Sequence, residues 1–114
     1  MYMINEFFGI SAASGKTEGV VKWVLSEADL DSFQPGEVLF AKMTSPDWGN
    51  LFQKAAAVVT EQGGMLCHAA IVAREEGIPA VVGIGEDLSQ ISDGIKVLVD
   101  GDEGIVTVIE STYE

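Results

Sequence analysis

The chain is short of cations, proline, cysteine and histidine. Six Lys and Arg face 18 Asp and Glu for a formal net charge of −12, and there are three prolines, one cysteine and one histidine. Each scarcity excludes something. Cations this few and this scattered exclude nucleic acid as a partner, because a phosphate backbone is held by clustered Lys and Arg. A lone cysteine cannot close an internal disulfide, which agrees with a reducing compartment. No apolar run approaches the roughly 20 residues of a membrane span. The opening MYMINEFFG lacks the basic start and apolar core of a signal peptide, so the expectation is a cytoplasmic chain with no membrane partner. Also missing are a glycine-rich phosphate loop ending in Lys, a carboxylate cluster spaced for a metal, and a basic nucleotide pocket. Alone, the chain is expected neither to bind ATP well nor to turn over a phosphorylated substrate.

What is present is enough apolar residue, 47% of 114, for one compact domain over 1–114 with a single core. The informative stretch is Thr60 to Gly83, TEQGGMLCHAAIVAREEGIPAVVG, which holds the single histidine, His68. Gly63 and Gly64 permit a sharp turn where a side chain would clash. Ala69 to Glu76 then favours a helix that Gly77 stops. His68 is therefore expected at a turn-to-helix junction, where unpaired N–H groups and the positive end of the helix dipole can receive an anion. No acidic residue occurs from Gln62 to Ala73. A buried turn and helix would lack charge in any case, and an anion received there would also be spared repulsion.

Along the chain, Ile4 to Ile10 is apolar enough for a strand, and Ser11 to Gly19 reads as a loop. Val20 to Leu25 is strand-like, with Val21, Trp23 and Leu25 on one face. Ser26 can start a short turn or helix over Glu27 to Phe33. Pro35-Gly36 marks a turn before a strand at Glu37 to Ala41. Ser45, Pro46 and Asp47 read as cap, first position and first-turn acid of a helix to about Lys54, which Gly49 weakens. Ala56 to Thr60 is a buried strand, Ala80 to Val82 a short one. Ile95 to Val99 and Ile105 to Ile109 form a hairpin across Asp100 to Gly104. The mixture predicts an α+β or α/β-like layered fold.

The central run resembles the phosphohistidine, or swivelling, domain of phosphoenolpyruvate-utilising enzymes, such as phosphoenolpyruvate synthase, pyruvate phosphate dikinase and the rifampicin phosphotransferases. The residues that carry the resemblance are Thr60, Gly63, Gly64, Cys67, His68, the run Ala69-Ala70-Ile71-Val72-Ala73-Arg74, and Gly77-Ile78-Pro79-Ala80-Val81-Val82-Gly83. The Thr-Ser-Pro-Asp-Trp run at Thr44 to Trp48 is similar as well. Leu66 departs from the threonine that many members carry before the Ser or Cys.

The resemblance implies a β/β/α swivelling fold in which His68 is transiently phosphorylated as a nucleophile. It also implies a phosphoryl group carried between an ATP-grasp-type nucleotide-binding domain and a phosphoenolpyruvate/pyruvate or other acceptor domain. ATP and Mg then belong to the partner domains, and no cofactor or metal is expected on this one. Thr60, Gly63, Gly64, Cys67 and Ala69 are the residues expected to support the phosphate. Thr60 has two open readings, a bond to His68 or the phosphate, or simply the end of a strand. Arg74, six residues and more than one helical turn after His68, reads either as a phosphate contact or as a solvated helix face or ion pair. Cys67 with His68 is a poor thiol-base pair, since adjacent side chains on an extended turn point apart and no third residue orients them. Metal binding needs three or four spaced ligands. A non-catalytic interaction module that keeps the fold is the alternative of a different class.

Overall fold

The computed structural model describes residues 5–48 and 50–110. Its strands are β1 (Glu6–Phe8), β2 (Ile10–Ala13), β3 (Lys16–Trp23), β4 (Val38–Ala41), β5 (Ala57–Thr60), β6 (Ala80–Val82), β7 (Lys96–Asp100) and β8 (Ile105–Glu110). Two helices, α1 (Leu51–Lys54) and α2 (His68–Glu76), lie between them. The strands form one sheet in the order β1-β8-β7-β3-β4-β5-β6-β2.

The longest strand, β3, changes partner half way. Lys16 to Val20 pair antiparallel with β7, and Val21 to Trp23 pair parallel with β4. Strands β4, β5 and β6 continue in parallel, so their carboxyl ends lie at one edge. Alternation along these strands builds two cores. Val38, Phe40, Ala57, Val59 and Val81 pack with Phe7, Val97, Val99 and Val106 of the antiparallel half. Leu39, Val58, Ala80 and Val82 face the other way, toward Phe52 of α1 and Ala69, Ala70 and Ala73 of α2. The result is antiparallel half, parallel half and helices stacked as β/β/α layers, the expected arrangement. Buried on both faces, β4 and β6 read as unbroken apolar runs, and β5 does so up to its last residue, Thr60. Each fully buried Val or Leu contributes ~1.5–3 kcal/mol.

Where helix meets sheet, small residues decide the spacing. Ala69, Ala70 and Ala73 are each at most 2% exposed, so α2 lies close on β5, β6 and β2. Gly77 ends the helix in the left-handed region at φ 73°.

Several expectations need correction. Ser11 to Gly19 is not a loop, because β2 and the first half of β3 occupy it. Ala12 and Ala13 are buried, and pairing with β6 and β7 overrides the weak local preference of Ser, Ala and Gly. The single strand over Ile4 to Ile10 is divided between β1 and β2 at Gly9, and Ile4 lies outside the described residues. Leu25 falls beyond the end of β3 and is exposed, so it shares no buried face with Val21. The helix from Pro46 to Lys54 is two pieces, a 3-10 turn at Pro46–Trp48 and α1. The Ser45 hydroxyl does accept a bond from the Asp47 N–H, at 3.2 Å. Gly49 lies outside the described residues. Ser26 starts a 3-10 turn at Glu27–Asp29 with a full capping box, as its residue type predicts. Strands β7 and β8 pair antiparallel as the expected hairpin.

Candidate functional site

The site forms at the carboxyl edge of the parallel strands, where crevices of α/β sheets open. Thr44 follows β4, Thr60 closes β5, and Gly63 to His68 lead from β5 into α2. Main-chain bonds brace this edge. Gln62 N–H donates to Lys42 O at 2.9 Å, and Gly85 N–H donates to Glu61 O at 2.9 Å.

Two glycines bring the lead-in loop close to the sheet. At Gly83 (φ +63°) an added Cβ would lie 2.4 Å from the Gly63 carbonyl oxygen. At Gly63 (φ +124°) it would lie 2.8 Å from Cys67 Sγ. The first turn glycine of the motif and its last glycine thus pack against each other, and no larger residue fits at either place. A turn from Gly64 to Cys67 follows, closed by Cys67 N–H donating to Gly64 O at 3.1 Å.

His68 is the first residue of α2 and is half-buried. Its Nδ1 lies 2.7 Å from Thr44 Oγ1. Phe52 of α1 meets the ring edge to face, with centroids 5.6 Å apart and planes at 86°. Hydroxyl and phenyl together fix the imidazole plane. Among the described residues Nε2 has no hydrogen-bond partner, and no buried side-chain nitrogen or oxygen there is left unpaired, so Nε2 is open to solvent. It borders a cleft of about 210 Å³ that Thr44, Thr60, Gly63, Cys67 and Ala69 also line.

The expected supporting residues divide by role. Thr60 is fully buried, and its hydroxyl donates to the Gln62 carbonyl at 2.6 Å, so it ends a strand and shapes the loop; among the described residues no hydrogen bond joins it to His68. Cys67 is the N-cap of α2 but makes no side-chain cap bond; its sulfur packs on Gly63. That leaves the first-turn N–H groups, including that of Ala69, without a side-chain acceptor. Gly63 is held under Gly83, and Gly64 contributes the turn carbonyl. Among the described residues no three His, Cys, Asp or Glu side chains cluster as metal ligands do. No helix among them is long and apolar enough to cross a membrane.

Two residues differ from expectation. Thr44 was not among the expected site residues, since a contact across the fold has no local signature; its place in the Thr-Ser-Pro-Asp-Trp run was the available signal. Arg74 is neither simply solvated nor spent on an ion pair. Its Nε donates to the Ala12 carbonyl at 2.8 Å, and its Nη2 donates to the Met65 carbonyl.

With this geometry in place, the similarities to known proteins take on meaning. The family model described as "PEP-utilising enzyme, mobile domain" matches residues 33–104. The chain is 48% identical over 105 residues to the uncharacterized phosphotransferase YvkC of Bacillus subtilis, covering 92% of this chain and 13% of that protein. It is 47% identical over 91 residues to the phosphoenolpyruvate synthase of Escherichia coli, covering 77% of this chain and 12% of that enzyme. It therefore spans about an eighth of the length of these relatives. The solution structure of Enzyme I (nEIt) superposes with a TM-score of 0.60 at 36% identity, over 73% of this chain and 34% of that one. Matched by the family model over most of its length and by fold to Enzyme I, the chain belongs to the mobile-domain family of PEP-utilising enzymes.

Proposed function

We propose that His68 carries a phosphoryl group on Nε2 between a nucleotide-binding domain of the ATP-grasp type and a second domain that acts on phosphoenolpyruvate and pyruvate or another acceptor. The observation that carries this reading is the 2.7 Å contact between Thr44 Oγ1 and His68 Nδ1, with Nε2 left open. With Nδ1–H donating to the threonine oxygen, the ring's free lone pair is on Nε2. That nitrogen attacks phosphorus, the N–P bond forms, and the P–O bond to the leaving group breaks with its electron pair. The first-turn N–H groups of α2 lack a side-chain cap, and in this reading they donate to phosphoryl oxygens.

The exposed surface around His68 supports docking to a partner domain. Leu66 is 84% exposed at the tip of the turn, with Met43, Met65 and Ile71 exposed near it. This apolar rim beside His68 supplies a landing face for a larger domain. Leu66, where many relatives of this type carry threonine, adds to that apolar rim. ATP and Mg are assigned to the partner domain.

The reading is tested by incubating the chain with labelled ATP and the nucleotide-binding domain of a relative. Acid-labile, alkali-stable label on the wild-type chain and none on His68→Ala is the expected result. Label that persists in His68→Ala overturns the proposal.

A further inference from the structure

The turn that presents His68 has little to hold it. Gly63 and Gly64 precede it, Met65 and Leu66 are exposed at its tip, and Cys67 N–H to Gly64 O is its closing main-chain bond. A loop of this kind pays full conformational entropy for each residue it orders. Across from it, β2 carries an irregularity. Its register against β6 runs Ile10↔Val82, Ser11↔Val81, then Ala13↔Ala80, which leaves Ala12 out of the ladder. The bulge frees the Ala12 carbonyl, and Arg74 takes it. The same guanidinium reaches the Met65 carbonyl in the turn.

We propose that Arg74 is a positioning residue for phosphoryl transfer: its guanidinium clips the Gly64–Cys67 turn to the bulge of β2 and so holds Nε2 of His68 and the head of α2 in register. This rests on the carrier reading above. The planar guanidinium can serve two carbonyls at once, whereas an ammonium is a point donor that cannot span both in fixed geometry. The clip buries no large apolar surface, so its loss acts on the reaction more than on the core. A displaced turn lowers the rate because reacting groups must be held within fractions of an ångström.

The test uses the 114-residue chain with phosphoramidate, a small chemical donor that needs no partner domain. In that reaction the donor's P–N bond breaks, its nitrogen leaves as ammonia with a proton from solvent, and a new P–N bond forms at Nε2. Wild type, Arg74→Ala and Arg74→Lys are compared for rate of phosphohistidine formation, for thermal melting, and for exchange of the Cys67 amide. Both variants are expected to react about tenfold more slowly or worse, with faster Cys67 exchange and small changes in melting. Millimolar guanidinium is expected to restore Arg74→Ala. A wild-type rate in Arg74→Lys shows that charge alone suffices and overturns the proposal, as does unchanged Cys67 exchange in either variant. If Arg74→Ala does not fold, Arg74→Lys decides alone. If the wild type itself takes no phosphoryl group, the carrier reading fails, and the exchange measurement still tests the clip.

Discussion

Thr44 and His68 come from different connections of the parallel sheet, yet Oγ1 and Nδ1 meet at 2.7 Å. That contact engages Nδ1, while Nε2 has no hydrogen-bond partner among the described residues. Replacing Thr44 with Val removes the hydroxyl and keeps the shape. A hydrogen bond of this kind is worth ~0.5–1.5 kcal/mol, so phosphorylation of His68 slows by about two- to tenfold. Nitrogen-15 shifts of the ring are expected to show a larger share of the Nε2–H tautomer. Thr44→Ser keeps both rate and tautomer. A Val variant that reacts at the wild-type rate contradicts the assignment.

Phe52 supports the same ring from the other side. It is 3% exposed and belongs to the helix-side core, so Phe52→Ala costs about 3–5 kcal/mol of stability. Phe52→Leu fills most of the volume and forfeits mainly the edge-to-face term of ~0.5–1.5 kcal/mol. Denaturant unfolding of both variants checks the order. A Phe52→Leu variant as stable as the wild type would show that the aromatic contact contributes nothing, and one as damaged as Phe52→Ala would contradict the volume argument.

The pairing of Gly63 with Gly83 predicts a second pattern. Gly83→Ala puts a Cβ 2.4 Å from main-chain oxygen, where nothing flexible can yield. Gly63→Ala meets a cysteine side chain at 2.8 Å. Both also pay ~1–3 kcal/mol for a positive φ. Cys67→Ala is expected to recover part of the Gly63→Ala loss and none of the Gly83→Ala loss. Equal recovery in both, measured by thermal melting, would contradict the packing described.

Cys67 packs on Gly63 and neither caps the helix nor bonds the histidine. Cys67→Ser is therefore expected to keep phosphohistidine formation within about twofold, since only a weak donor changes. Loss of all transfer in Cys67→Ser, with folding intact, would return the thiol to the reaction.

Much of this was legible in the order of residues. The glycine pair, the alanine-rich helix and the Gly77 stop place His68 at a helix head, and the helix begins there. The apolar runs at Val38 to Ala41 and Ala57 to Thr60 announce strands covered on both faces. Ser11 to Gly19 misled because its strands are made by their neighbours, β6 and β7, and not by their own side chains. Thr44 and Arg74 were opaque for a related reason. Their partners, His68 in one case and the carbonyls of Ala12 and Met65 in the other, become neighbours only when the sheet and helix are assembled.

The most direct measurement is nitrogen-15 and phosphorus-31 NMR of the phosphorylated, ring-labelled chain. One-bond phosphorus coupling to Nε2 of His68, with Nδ1 still bearing the proton shared with Thr44, is the predicted result. Coupling to Nδ1, or phosphorus on any other residue, would contradict it.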